Sequence, residues 1–174
     1  MIHIVLFEPE IILNTGNIAR ICVGFNAKLH LIRPYGFILD QNRFHKDFIR
    51  AATNHIDTLN LAQYDDFDEF LTINQISNDS TNIFFYTRYG SNTPADVKYP
   101  DYTNQEVYLV FGKESTGIDH AILKQFPNQW IRIPTSFNLR SLNVANSVSM
   151  GIYELARAYN FAGLLTNEPH KKFE

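Results

Sequence analysis

Three short segments concentrate the residues that could do chemistry: Glu8–Arg20, Gly112–Gly117 and Pro134–Asn146. Each is polar and follows an apolar run that reads as a strand. In an open α/β sheet, ligands bind in the loops at the carboxyl ends of strands, so this distribution points to one site. Taken singly, each segment also reads as an ordinary strand-to-helix turn, where Gly, Asn and Ser are common for conformational reasons.

In the first segment, NTGNIAR (14–20), Thr15 and Gly16 fit a tight turn and Asn17 a helix cap, which puts Arg20 on the first helical turn. A cation there opposes the helix dipole and calls for a negative partner. That partner is either Glu8 or Glu10 of the same chain, or the phosphate and ribose of a ligand. The second segment, FGKESTG (111–117), lacks the G-x-x-x-x-G-K-[ST] order, so nucleotide hydrolysis is unsupported. Gly112 and Gly117 allow a backbone to approach a ligand closely. Glu114 between them is either a carboxylate at a helix start or a ligand-orienting group. The third segment, IPTSFNLRSLNVANS, carries Ser136, Asn138, Arg140, Ser141, Asn143, Asn146 and Ser147. Ser141 and Asn143 can cap the following helix. Asn146 and Ser147 fall inside it, where such side chains cost stability relative to Ala unless they bond something, so they suggest a buried polar cluster.

The elements that must position these segments alternate. Ile2–Phe7 reads as a strand, Ile18, Ile21, Cys22 and Phe25 as the apolar stripe of a helix, and Lys28–Arg33 as a second strand, with Asn26 suited to the left-handed turn that ends the helix. This βαβ unit predicts a parallel sheet. Asn82–Thr87 and Val107–Phe111 are continuous apolar runs of the buried-strand kind. Trp130–Ile133 is a further short strand. Helices are predicted around Arg43–Ala52, Asp65–Ile73 and Ile118–Phe126, and most clearly from Asn143 to Tyr159, where Val144, Val148, Ile152, Leu155 and Tyr159 share a face.

Composition bounds the reading. A chain of 174 residues, 45% apolar and 19% charged, forms one ordinary folded domain without disulfides. The single Cys22 favours a reducing compartment, and the scattered histidines lack metal-ligand spacing. No apolar run approaches the roughly 18 residues of a membrane span, and Glu8, Pro9 and Glu10 interrupt the first strand too early for a signal sequence, so a cytoplasmic location is expected. A net charge of −3 argues against tight, sequence-blind binding to duplex nucleic acid. A basic surface for RNA would have to be local.

In this order, the three segments resemble the motifs of the SpoU-type (SPOUT) RNA 2′-O-methyltransferases: N-x-G-N-I-x-R, F-G-x-E-x-x-G, and I-P followed by S-L-N-V-x-N-S. The similarity runs to about Ala162, and a joint match of three motifs is specific where NTGNIAR alone is not. The length, the absence of an appended RNA-binding domain, and the stretches IVLFEPEI, LHLIRPYGF and IYELARAY are most similar to the minimal members that methylate the wobble nucleotide of tRNA.

The resemblance implies an α/β fold, a single domain over residues 1–162 with a parallel sheet and a C-terminal deep trefoil knot, and a polar tail over 163–174. It implies a homodimer, no metal, S-adenosylmethionine held bent among the knot loops, and the anticodon stem-loop of tRNA as partner. The reaction would be 2′-O-methylation of cytidine or uridine 34. The alternatives are another tRNA position, ribosomal RNA, or an inactive member that binds RNA or cofactor. Carried onto this chain, Tyr86, Thr87, Gly112, Ile133, Ser141 and Leu142 would hold the cofactor, and Arg20 would be the catalytic arginine, supported by Asn17, Glu114, Ser141 and Asn143. Arg33, Arg43, Lys46, Arg50, Arg88, Lys113, Arg132 and Arg140 are candidates for an RNA track. The chain departs from the family pattern at Ile12 and Leu13, where a proline is usual, at Asn26, where a glycine is usual, and through the segment QNRFHKDFIRAATNHID.

Overall fold

A computed structural model of the chain describes residues 1–38 and 58–168. The helix expected around Arg43–Ala52, with Arg43, Lys46 and Arg50, lies outside the described residues.

Six strands form one parallel sheet: β1 (Ile2–Phe7), β2 (Lys28–Ile32), β3 (Leu61–Tyr64), β4 (Ile83–Tyr86), β5 (Val107–Phe111) and β6 (Trp130–Ile131). Their order is β3-β2-β1-β5-β4-β6, so the chain winds outward from β1 in one direction and completes the other half later. β1, β4 and β5 are buried at every position, which is why they read as near-continuous apolar runs, interrupted in β1 by His3, instead of alternating ones. One face carries α1 (Ile12–Gly24) and α4 (Val144–Ala158), which pack against each other over Ile4, Leu6, Leu109 and Phe111. The other carries α2 (Phe67–Ile73) and α3 (His120–Gln125) over Val5, Phe7, Phe85 and Val110. Asn26 adopts φ 52°, the left-handed conformation expected of it.

Two sequence expectations are corrected. α1 begins at Ile12, so Asn14, Thr15, Gly16 and Asn17 are helical; they form neither a turn nor a cap, and Arg20 is well inside the helix. The strand β3 was not anticipated. It is a four-residue strand, LAQY, mostly half-buried, and among the described residues it pairs only with β2, from Leu29↔Leu61 to Ile32↔Tyr64, so its own residues carry little periodic signal.

α4 approaches the sheet closely at Gly151, where a Cβ would lie 2.8 Å from the Tyr86 ring. The crossover between β4 and β5 is bonded to the same end of the chain: the Tyr102 hydroxyl donates to the Ala162 carbonyl at 2.8 Å, and the Tyr159 hydroxyl donates to the Tyr99 carbonyl.

Beneath the α2 face lies a buried polar chain. His3 and His30 are 5% and 0% exposed, and their ring nitrogens meet at 2.7 Å. His3 Nε2 meets the Glu106 carboxylate, and His30 Nδ1 meets the Tyr64 hydroxyl at 2.8 Å, itself 3.2 Å from Asn74 Nδ2. With both rings neutral, one direction satisfies every atom: Asn74 donates to Tyr64, Tyr64 to His30, His30 to His3, and His3 to Glu106. Burial lowers the pKa of both histidines, that of His30 to about 2.

Candidate active site

The parallel register of β1 and β5 continues past the strand ends and zips the first two segments together. Leu6 pairs with Phe111, so the following loop residues meet two by two. Glu8 forms an ion pair with Lys113 at 2.5 Å, which raises the Lys113 pKa. Glu10 accepts from the Ser115 hydroxyl at 2.7 Å and from its backbone N–H at 2.8 Å, bonds that lower the Glu10 pKa. Both carboxylates are thus engaged away from Arg20.

Glu114, between those two contacts, caps α1. Its carboxylate accepts from the N–H groups of Glu10 and Ile11 at 2.9 and 3.3 Å and from Asn14 Nδ2 at 2.8 Å. This explains why α1 can start without a capping side chain of its own: Ile11 occupies the cap position and an anion arrives from another loop. The network reaches α4. Asn14 Oδ1 accepts from Asn143 Nδ2 at 3.0 Å, and Asn143 Oδ1 accepts from the N–H groups of Ala145 and Asn146. Asn143 is therefore the α4 cap the sequence suggested. Two helix N-termini and two loops are locked by three side chains, of which the buried Asn14 was overlooked from sequence. A polar residue on the first turn of an otherwise uncapped helix was the available sign.

Beside this network is a cleft of about 850 Å³ at the carboxyl ends of β4, β5 and β6. Its size is within the usual range for a small-molecule site. It is lined by Tyr86, Thr87, Gly112, Ile133, Ser141 and Leu142, and also by Glu114 and Asn143. Apolar strand ends such as Phe111 and Ile131 form part of the wall, and polar residues that include Thr87, Thr135, Ser141 and Ser147 form another part. A mixed wall of this kind suits a nucleoside that carries a polar tail.

Several sequence assignments do not meet there. Arg20 and Asn17 are exposed and do not line the cleft; with Leu13 and Gly24 they recur at helical spacing along one outward stripe of α1. The Arg20 guanidinium has no hydrogen bond or ion pair among the described residues. Asn146 is exposed and belongs to no buried polar cluster, whereas the Ser147 hydroxyl donates to the Asn143 carbonyl at 3.1 Å. Gly112 serves the loop itself: a Cβ there would lie 2.2 Å from the Gly117 carbonyl carbon and 2.3 Å from the Ile118 nitrogen. The candidate RNA cations also separate. Arg33 is paired with Asp65 and Lys113 with Glu8, while Arg88, Arg132 and Arg140 line the cleft with no carboxylate partner among the described residues. The described residues contain no group of His, Cys, Asp and Glu arranged to hold a metal ion, and no helix among them is long and apolar enough to cross a membrane.

Comparison with known proteins agrees with this geometry. A Listeria monocytogenes protein named "Putative tRNA (cytidine(34)-2'-O)-methyltransferase" is 40% identical over 168 residues, 97% of this chain and 94% of that protein. A solved structure described as "Structural insights into the 2-OH methylation of C/U34 on tRNA" superposes with a TM-score of 0.81 at 31% identity, covering 92% of this chain and 97% of its own. The Streptomyces viridochromogenes methyltransferase AviRb, in complex with the cofactor AdoMet, shares the fold at a TM-score of 0.72 and 20% identity, over 92% of this chain and 58% of that one. The model of the SpoU rRNA Methylase family matches residues 1–153, and the chain belongs to that family.

Proposed function

We propose that this protein transfers the methyl group of S-adenosylmethionine to the ribose 2′-hydroxyl of the wobble nucleotide, cytidine or uridine 34, of tRNA. The observation that carries the reading is the meeting of parts of all three motif segments at one cleft, in a chain that matches proteins named for this reaction along nearly their whole length. Incubation with methyl-tritiated cofactor and individual purified tRNAs, followed by mapping of 2′-O-methyl positions, tests it. Label confined to ribosomal RNA, or to another tRNA position, would overturn it.

Bound in the cleft, the cofactor supplies an already activated methyl group. What remains for the protein is to align the 2′-oxygen, take up one proton and exclude water. Tyr86, Thr87, Gly112, Ile133, Ser141 and Leu142 would hold the cofactor. Glu114 and Asn143 would keep the loops around it in register. Arg20 would grip the ribose and the adjacent phosphate; a guanidinium holds its proton far above neutral pH, so binding and orientation are its natural roles.

Because Arg20 points away from the cleft of its own chain, this reading requires a homodimer that presents the outward stripe of α1 to a partner's cleft. Exposed apolar residues support such an interface: Leu13 on α1 is 52% exposed, and Met150 and Tyr153 on one stripe of α4 are 47% and 53% exposed. Tyr153→Glu would then give a monomer that binds cofactor and fails to bind tRNA. Full activity of an unaltered monomer at micromolar concentration refutes the dimer. The contacts of Tyr99 and Tyr102 with the end of α4 also support the trefoil knot, in which that end passes through the β4–β5 crossover.

A further inference from the structure

Phe137 stands on the loop between β6 and α4 with a relative exposure of 104%, the highest among the exposed large apolar side chains. Single exposed apolar residues are common and by themselves mean little. The backbone that carries this one, however, is held in place. The Leu139 N–H donates to the Ser136 carbonyl at 3.1 Å, closing a tight turn with Phe137 and Asn138 at its corner. The Thr135 hydroxyl donates to the Leu139 carbonyl at 3.1 Å and braces the same turn from the side. Thr135 before the turn and Arg140 after it both line the cleft, so the ring projects from the cleft's rim.

The rim carries guanidinium groups free to meet an anion, beside the two lining carboxylates Glu114 and Asp119. Arg88, Arg132 and Arg140 have no carboxylate partner among the described residues, although the chain as a whole carries −3. The nearby carboxylates are committed to backbone N–H groups, Glu114 at α1 and Asp119 at the start of α3. Arg132 is fixed by donating to the Arg88 carbonyl at 2.9 Å, and Arg88 in turn lies 4.9 Å from the centre of the Tyr89 ring. A flat apolar ring beside unpaired guanidinium groups matches single-stranded RNA, which offers phosphates to the cations and an unstacked base to the ring.

We propose that Phe137 is a stacking platform for one base of the target loop, either that of the methylated nucleotide or an immediate neighbour, with Arg132 and Arg140 taking the flanking phosphates. This rests on the tRNA reading above and adds a residue that sets how the loop is presented. Stacking leaves Phe137 outside the cofactor site and outside the dimer contact, and both distinctions can be measured.

The test uses the full chain, S-adenosylmethionine and an anticodon stem-loop. Phe137→Ala should raise KM for the stem-loop by about 10- to 100-fold, the loss of one base–aromatic stack, while KM for the cofactor and the gel-filtration volume stay unchanged. Phe137→Trp should retain activity, and its fluorescence, measured against the parent containing only Trp130, should be quenched by the stem-loop. Stem-loops made abasic in turn at the methylated nucleotide and at each neighbour, with every ribose kept, should include one that no longer quenches. An unchanged stem-loop KM for Phe137→Ala overturns the proposal and leaves the methylation reading standing. An effect on cofactor KM alone, or dissociation of an oligomer, overturns it in favour of a cofactor or subunit contact. Failure of the unaltered protein to methylate tRNA removes both readings together.

Discussion

Replacing Glu114 by Ala separates its architectural role from a direct part in ligand binding. The carboxylate receives three donors, the N–H groups of Glu10 and Ile11 and Asn14 Nδ2, at 2.9, 3.3 and 2.8 Å. A hydrogen bond to a charged group contributes about 1.5–3 kcal/mol, and loss of a helix cap costs about 1 kcal/mol. The bonds share one carboxylate and the site opens to water, so these figures do not add; the expected cost is about 2–3 kcal/mol. In a chain of this size each kcal/mol moves Tm by about 2–4 °C, which predicts a fall of about 5–10 °C.

Direction within the network sharpens the expectation. Asn143 Oδ1 is occupied by α4 N–H groups, so its Nδ2 must donate to Asn14 Oδ1, and Asn14 must in turn donate to Glu114. Glu114→Gln keeps one acceptor oxygen but turns an amide donor toward other donors, so about half of the loss should persist. Calorimetric unfolding measures stability, and titration with S-adenosylmethionine measures the site. A Glu114→Ala protein with unchanged Tm would refute the capping argument. Unchanged Tm together with abolished cofactor affinity would reassign Glu114 to the ligand.

Arg20→Ala should leave cofactor affinity within a few-fold, since Arg20 does not line the cleft of its own chain, yet should abolish methyl transfer; full transfer in a tritium assay removes Arg20 from the mechanism. Gly112→Ala should cost about 1–3 kcal/mol and weaken cofactor binding, because its Cβ would lie 2.2 Å from the Gly117 backbone and force the loop apart; wild-type Tm and affinity would refute the clash. The buried histidines predict acid sensitivity. Burial holds both below their ordinary pKa, so below about pH 6.5 the unfolded chain binds protons that the folded chain refuses, and stability falls with pH by up to about 1.4 kcal/mol per unit for each group. The urea midpoint should therefore drop between pH 7.5 and 5.5, and a flat midpoint would contradict the neutral His3–His30 pair.

The parts legible in sequence are those where local pattern and tertiary role coincide. Ile83–Tyr86 and Val107–Phe111 are apolar throughout, and Ile2–Phe7 apolar but for His3, because helices cover both faces of the sheet, and α4 shows its buried stripe because Asn146, Ser147, Ser149, Glu154 and Arg157 interrupt the apolar residues on its other side. The start of α1 was hidden because its cap lies about 100 residues away in Glu114, and the local sign, Asn14, does not name its partner. Reading Asn17 as the cap supplied the missing function from the nearest suitable side chain, and Arg20 then appeared to oppose a helix dipole that it does not meet. The same distance explains the apparent surplus of charge in Glu8–Glu10 and Lys113–Ser115. Each looks like a polar loop until parallel register is extended from Leu6↔Phe111, after which Glu8 falls opposite Lys113 and Glu10 opposite Ser115. Such pairing follows from two-residue steps along adjacent parallel strands, so it could have been derived once β1 and β5 were known to be neighbours. Adjacency was the missing fact, since the sheet places β5 beside β1 while the chain passes through β2, β3 and β4 in between.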